Sequence, residues 1–106
     1  MKRGEIWTMR DAGYASKARP VVIVQNDDVA DFDSVILCLL TSCASYDLPT
    51  RVCVEPSPAN GLEKTSFIMT DKIVTVDRSL LGKCIGVLDE EMMQQVTQRL
   101  SLVLDL

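Results

Sequence analysis

Val35-Ile36-Leu37-Cys38-Leu39-Leu40 is the longest unbroken apolar run in the chain. Six residues fall far short of the roughly 20 that span a bilayer. They suit a strand, and apolar side chains at both parities mean that both faces are covered. The run is read as the central strand of a sheet. Upstream, residues 20–24 form a β-branched run in which Pro20 suits the first position of a strand. Residues 5–9 alternate, and Ile6 and Met9 can both join Trp7's face only through a bulge. Residues 11–18 read as a loop punctuated by Gly13. Downstream, residues 50–55 alternate as a half-exposed strand does. The turn-rich stretch 56–61 follows, then two short strands at 66–69 and 73–76 and one more at 84–87.

The period changes at the carboxyl end. Asp89 is a good N-cap, with Glu90 and Glu91 in the first turn, where the helix dipole favours acids. Leu88 and Met93 are placed for a hydrophobic staple. Met93, Val96, Leu100, Val103 and Leu104 recur at helical spacing, which predicts an amphipathic helix over 89–104. The fold class is therefore mainly β with a C-terminal helix (α+β): a curved antiparallel sheet or partial barrel. No repeat or linker interrupts it, so residues 1–106 read as a single domain. A chain of 106 residues can bury enough surface for one core but not for two.

Composition narrows the function. With 47% apolar and 25% charged residues, the chain is ordinary globular protein rather than disordered. No secretory signal or membrane span is visible, which predicts a cytoplasmic location. There is no histidine. That removes Ser-His-Asp and Cys-His nucleophiles and the commonest metal ligand. Cys38, Cys43, Cys53 and Cys84 contain no C-x-x-C spacing, so neither a metal site nor a redox motif is expected. Cys38 and Cys53 read as small core residues. The net charge of −4 argues against a nucleic-acid partner, yet residues 1–19 carry five bases against two acids. A local basic surface on an acidic protein is possible, its field screened within about 8 Å.

Particular residues point further. Arg3-Gly4-Glu5-Ile6-Trp7 resembles the R-G-E-I-W opening of the MazF/PemK family of toxin endoribonucleases. The stretch from Arg19-Pro20-Val21 to Gln25-Asn26-Asp27 is similar to that family's second strand. Leu40-Thr41-Ser42 resembles its T-S strand end. Gly61-Leu62 with Ser66, Asp71-Lys72-Ile73 with Thr75-Val76-Asp77, and Ile85-Gly86-Val87-Leu88 follow in the family's order. The resemblance implies an SH3-like antiparallel β-barrel of the MazF/PemK/CcdB type. It also implies a homodimer that cleaves single-stranded RNA without metal or other cofactor, inhibited by a cognate antitoxin, MazE-like or other. The loop at 12–18 is shorter than the family's usual segment, so the cleavage sequence is not inherited. The position two before Asp71 is Met69, where some members carry arginine.

The implied reaction is an internal transesterification by the ribose 2′-hydroxyl, which makes RNA the only substrate. It needs a proton acceptor, stabilisation of negative charge and protonation of the leaving oxygen. Arg19 is the candidate for charge stabilisation and Thr41 for a hydrogen bond to a phosphate oxygen; both match family residues held to be catalytic. Asp71 is the candidate carboxylate for proton transfer, provided burial raises its pKa. Tyr14, Ser16, Lys17, Ser42 and Lys72 are candidate RNA contacts, with Tyr14 stacking a base. An acidic antitoxin tail is expected to meet the Lys17/Arg19 surface.

Each residue also has a plainer reading. Arg19 and Lys17 are then solvated charges, Thr41 and Ser42 satisfy backbone groups at a strand end, Asp71 and Lys72 close a hairpin, and Trp7 is core. Two other functions fit the same fold. One is a non-catalytic gyrase poison like the CcdB toxins, disfavoured because the chain ends Val103-Leu104-Asp105-Leu106 and its single Trp is Trp7. The other is an interaction module with a decayed site.

Overall fold

The computed structural model describes residues 1–10, 18–30, 32–42 and 48–106. Six strands form one antiparallel sheet: β1 (Glu5–Arg10), β2 (Ala18–Ile23), β3 (Ser34–Thr41), β4 (Arg51–Val54), β5 (Ser66–Asp77) and β6 (Leu81–Val87). Their order across the sheet is β4-β5-β3-β2-β1-β6. A 3-10 turn at Arg78–Leu80 links β5 to β6, and helix α1 (Glu90–Leu104) closes the chain.

The central position of β3 explains the run at 35–40. Cys38 and Leu40 enter one buried cluster with Ile6, Val22, Val52, Ile68 and Val96 of α1. Val35 and Leu37 enter a second, on the opposite face, with Val21, Ile23 and Leu81. The chain thus builds two apolar clusters where length alone suggested one, because its central strands are apolar at both parities. Strand β1 obeys the same rule: Ile6 faces the first cluster while Trp7 and Met9 pack against the second. No bulge is needed to put them on one face. The irregularities that do occur in β1 lie along its pairing with β6.

Three sequence expectations change. Pro20 is the third residue of β2, not the first. It pairs with Thr8 of β1, while pairing with β3 begins only at Val21, so its missing N–H leaves that ladder intact. The two short strands at 66–69 and 73–76 are one 12-residue strand. Its register against β3 jumps from Leu39↔Met69 to Cys38↔Ile73, which leaves Thr70, Asp71 and Lys72 as a bulge. Cys53 is exposed rather than core. Val52 and Val54 take the buried parity of β4, and the second cluster does not reach this edge strand.

No ladder joins the edges β4 and β6 among the described residues, so the sheet is curved but not a closed barrel. The turn at 57–61 lies against β6 instead. Val87 N–H donates to the Ala59 carbonyl at 2.9 Å. Asn60, buried, accepts from the backbone N–H groups of Ser57 and Leu62 and donates to the Glu55 carbonyl. Gly61 takes φ +69°, and it and Gly86 meet backbone of the opposite segment where a Cβ would sit. Helix α1 begins as expected: the Asp89 carboxylate accepts from Met92 N–H at 2.8 Å. Arg3 ties the amino terminus to both neighbours, donating to the Val24 carbonyl and the Thr97 hydroxyl.

Candidate active site

Directly paired residues of antiparallel strands point to the same face. Trp7↔Val21↔Leu39↔Met69↔Arg51 therefore form one continuous row across β1, β2, β3, β5 and β4. Trp7, Val21 and Leu39 mark it as the face of the second cluster. The next row toward the ends of β2 and β3 holds Met9↔Arg19 on one side and Thr41↔Phe67↔Cys53 on the other. Continuing the Val21↔Leu39 register by two residues sets Arg19 opposite Thr41. The β2–β3 ladder stops at Val21↔Leu39, and Arg19 and Thr41 lie just beyond it on the same face. Arg19 and Ser42 are exposed and Thr41 is half-buried.

Asp71 and Lys72 stand in the β5 bulge, both exposed, rather than at the end of a hairpin. The Arg51 Nε donates to Asp71 Oδ1 at 3.3 Å. The Thr70 hydroxyl, fully buried, donates to the Thr50 carbonyl and fixes the bulge against the start of β4. Partial desolvation pushes the Asp71 pKa up. Its own backbone N–H, the Thr50 hydroxyl and the charges of Arg51 and Lys72 outweigh that, and the net shift is down from 3.8. A carboxylate so held is ionised at pH 7 and is a poorer proton acceptor than a free one. Its surroundings do not supply the raised pKa that the proton-transfer role needs.

The register thus puts Arg19 and Thr41 on one face at the adjoining ends of β2 and β3, and sets Asp71 and Lys72 two strands away from β2, beyond β3. Tyr14, Ser16 and Lys17 lie outside the described residues. Trp7 is half-buried against the second cluster and donates its indole N–H to Glu5 Oε1 at 3.1 Å. Sequence reading missed Phe67, half-buried beside Thr41, and Arg51. Nothing local signals either; only cross-strand register places them on this face. Among the described residues, no three His, Cys, Asp or Glu side chains come together as a metal site would require.

The profile of PemK-like, MazF-like toxins of type II toxin–antitoxin systems matches residues 2–104. The chain belongs to this family of toxin endoribonucleases. A probable endoribonuclease MazF of Mycolicibacterium smegmatis is 41% identical over 92 residues, 85% of this chain and 84% of that one. Endoribonuclease EndoA of Bacillus subtilis is 32% identical over 90 residues, 83% of this chain and 77% of that one. A solved mycobacterial endoribonuclease in complex with its cognate antitoxin superposes with TM-score 0.84 at 28% identity. It covers all of this chain and 96% of its own. The MazF-type fold is therefore shared across the described sheet and helix. The relatives' endoribonuclease activity favours catalysis over the gyrase-poison alternative.

Proposed function

We propose that this MazF-family toxin cleaves single-stranded RNA at short sequences without a metal ion, by attack of the ribose 2′-hydroxyl on the adjacent phosphorus. The 2′-oxygen loses its proton to solvent and bonds to phosphorus, the bond to the 5′-oxygen breaks and that oxygen takes up a proton from solvent, leaving a 2′,3′-cyclic phosphate and a 5′-hydroxyl. The observation that supports this reading is that Arg19 and Thr41 share one sheet face at the adjoining ends of β2 and β3. The substrate brings its own nucleophile, so the protein's main task is to stabilise the charge that develops on the phosphoryl oxygens. Arg19 does so with a planar, permanently charged fork, and Thr41 donates its hydroxyl to a phosphoryl oxygen. Tyr14, Ser16, Lys17, Ser42 and Lys72 remain the proposed contacts for flanking nucleotides. The enzyme acts as a homodimer and is held inactive by a cognate antitoxin; the complex solved for its mycobacterial relative supports the second part.

The test is cleavage of a long single-stranded RNA in excess chelator, with the cut ends mapped. Discrete cuts with 5′-hydroxyl ends are expected from wild type. Arg19→Ala should lose at least about 100-fold in rate, the scale of one charge-stabilising donor. Cuts that require added metal, or equal cleavage by Arg19→Ala, would overturn the mechanism.

A further inference from the structure

We infer that Arg51 is a second cationic contact for the RNA backbone, at a phosphate flanking the one cleaved, and that Asp71 is its positioning residue. The inference rests on the RNA-cleavage reading above. Arg51 lies on the same sheet face as Arg19 and Thr41, one row further in, through the unbroken pairing Val21↔Leu39↔Met69↔Arg51. Two strand spacings and one two-residue step separate it from Thr41, about 12 Å between Cα atoms. A strand of RNA crossing this face from β2 over β3 would continue onto β4, where Arg51 stands.

The side chain is arranged for such a contact. Asp71 takes only the Nε of Arg51, and its side chain is 20% exposed. An arginine gripped at Nε by a carboxylate loses rotational freedom while its two terminal nitrogens stay outside that contact, and their parallel N–H donors match the geometry of a phosphate. The bulge supplies the carboxylate. Without the extra residues 70–72, the regular alternation of β5 would carry no acid beside β4. Thr70 anchors the bulge to Thr50, the residue before Arg51. A single ion pair partly open to solvent contributes little stability, and this one also fixes the orientation of the guanidinium. Phe67, half-buried between Thr41 and Cys53 in the adjacent row, offers a ring on which the intervening base can stack.

A short RNA carrying one mapped cleavage site measures kcat and KM, and its uncleavable analogue with 2′-deoxyribose at that site measures Kd between 50 and 200 mM salt. Arg51→Gln should raise KM and Kd about tenfold, the scale of one charge-assisted contact, with kcat within about twofold. Its log Kd against log salt should be shallower by about 0.7, one phosphate's worth for a single strand, so the gap from wild type narrows roughly 2.5-fold over that range. Arg51→Lys keeps the charge and should keep the slope. Asp71→Asn should raise KM by a smaller factor, and adding it to Arg51→Gln should cost nothing further. An unchanged slope in Arg51→Gln, or a fall in kcat at constant KM, overturns the assignment. If wild type itself neither cleaves nor binds RNA, the parent reading fails with it; if wild type cleaves and Arg51→Gln behaves identically, only Arg51 is lost.

Discussion

Gly86→Ala is expected to be the most damaging single methyl addition on β6. A Cβ at residue 86 would lie 2.5 Å from the Ala59 carbonyl oxygen and closer still to the carbonyl of Asn60. Ordinary contact begins near 3.4 Å, so the turn must retreat by about 1 Å. The turn is poorly able to do so, because Asn60 is buried and bonded to Ser57, Leu62 and Glu55. Retreat also breaks the bond from Val87 N–H to the Ala59 carbonyl. Overpacking of this kind costs about 1–3 kcal/mol and the lost bond about 1, so the sum is about 2–4 kcal/mol. In a domain of this size that lowers Tm by roughly 10–20 °C.

Gly82→Ala is the internal control. Its Cβ would meet the Thr8 hydroxyl at 2.5 Å, a side chain that can rotate away at the cost of its bond to Lys83 N–H. About 1 kcal/mol is expected there. Thermal unfolding followed by circular dichroism reads both variants. Gly86 pairs with Ile6, three residues from Met9 of the Arg19 row, so folded Gly86→Ala should retain wild-type kcat at low temperature. A Gly86→Ala variant that melts within about 3 °C of wild type, or no lower than Gly82→Ala, would show that the 57–61 turn does not seal the open side of the sheet.

Asp105 ends α1 at φ 56° and places a carboxylate at the negative pole of the helix. Asp105→Gly should raise stability by about 0.5–1 kcal/mol in a denaturant titration, with activity unchanged. Removing the other cap, Asp89→Ala, should cost about 1 kcal/mol in the same assay. The Glu5 carboxylate is held below its ordinary 4.5 by the Lys2 N–H and the Trp7 indole. Its contribution is complete above pH 4.5 and disappears as pH falls through the lower folded value, so Glu5→Gln should flatten the acid side of the stability–pH curve below about pH 4.5. Burial pushes the Cys38 thiol up to about 11. Native protein treated with iodoacetamide at pH 8 should therefore show no modification at Cys38 by mass spectrometry, and modification there before unfolding would contradict its placement in the core.

The fold was readable where a residue's neighbours in sequence decide its environment. The run at 35–40 could only be central, and Asp89 with its two following glutamates could only begin a helix that carries Val96 inward. The errors share one physical origin, since each depends on what lies across a strand rather than along it. Cys53 looks buried between two valines, but alternation turns it to a face that nothing covers at the sheet edge. Residues 66–77 look like two strands because the bulge at 70–72 breaks the alternation, whereas β3 is long enough to pair with both halves. The candidate site divides the same way. Arg19 and Thr41 were singled out by resemblance alone, and their shared face follows from a register set by apolar residues that do no chemistry: Val21 against Leu39 on one side, Trp7 against Val21 on the other. Arg51 had no local signature, since a lone base in an acidic stretch reads as solvated charge. What separates it from such a charge is a three-residue bulge in β5, the strand between β4 and the β3 strand of Thr41, and a bulge is invisible until both partners of the ladder are known.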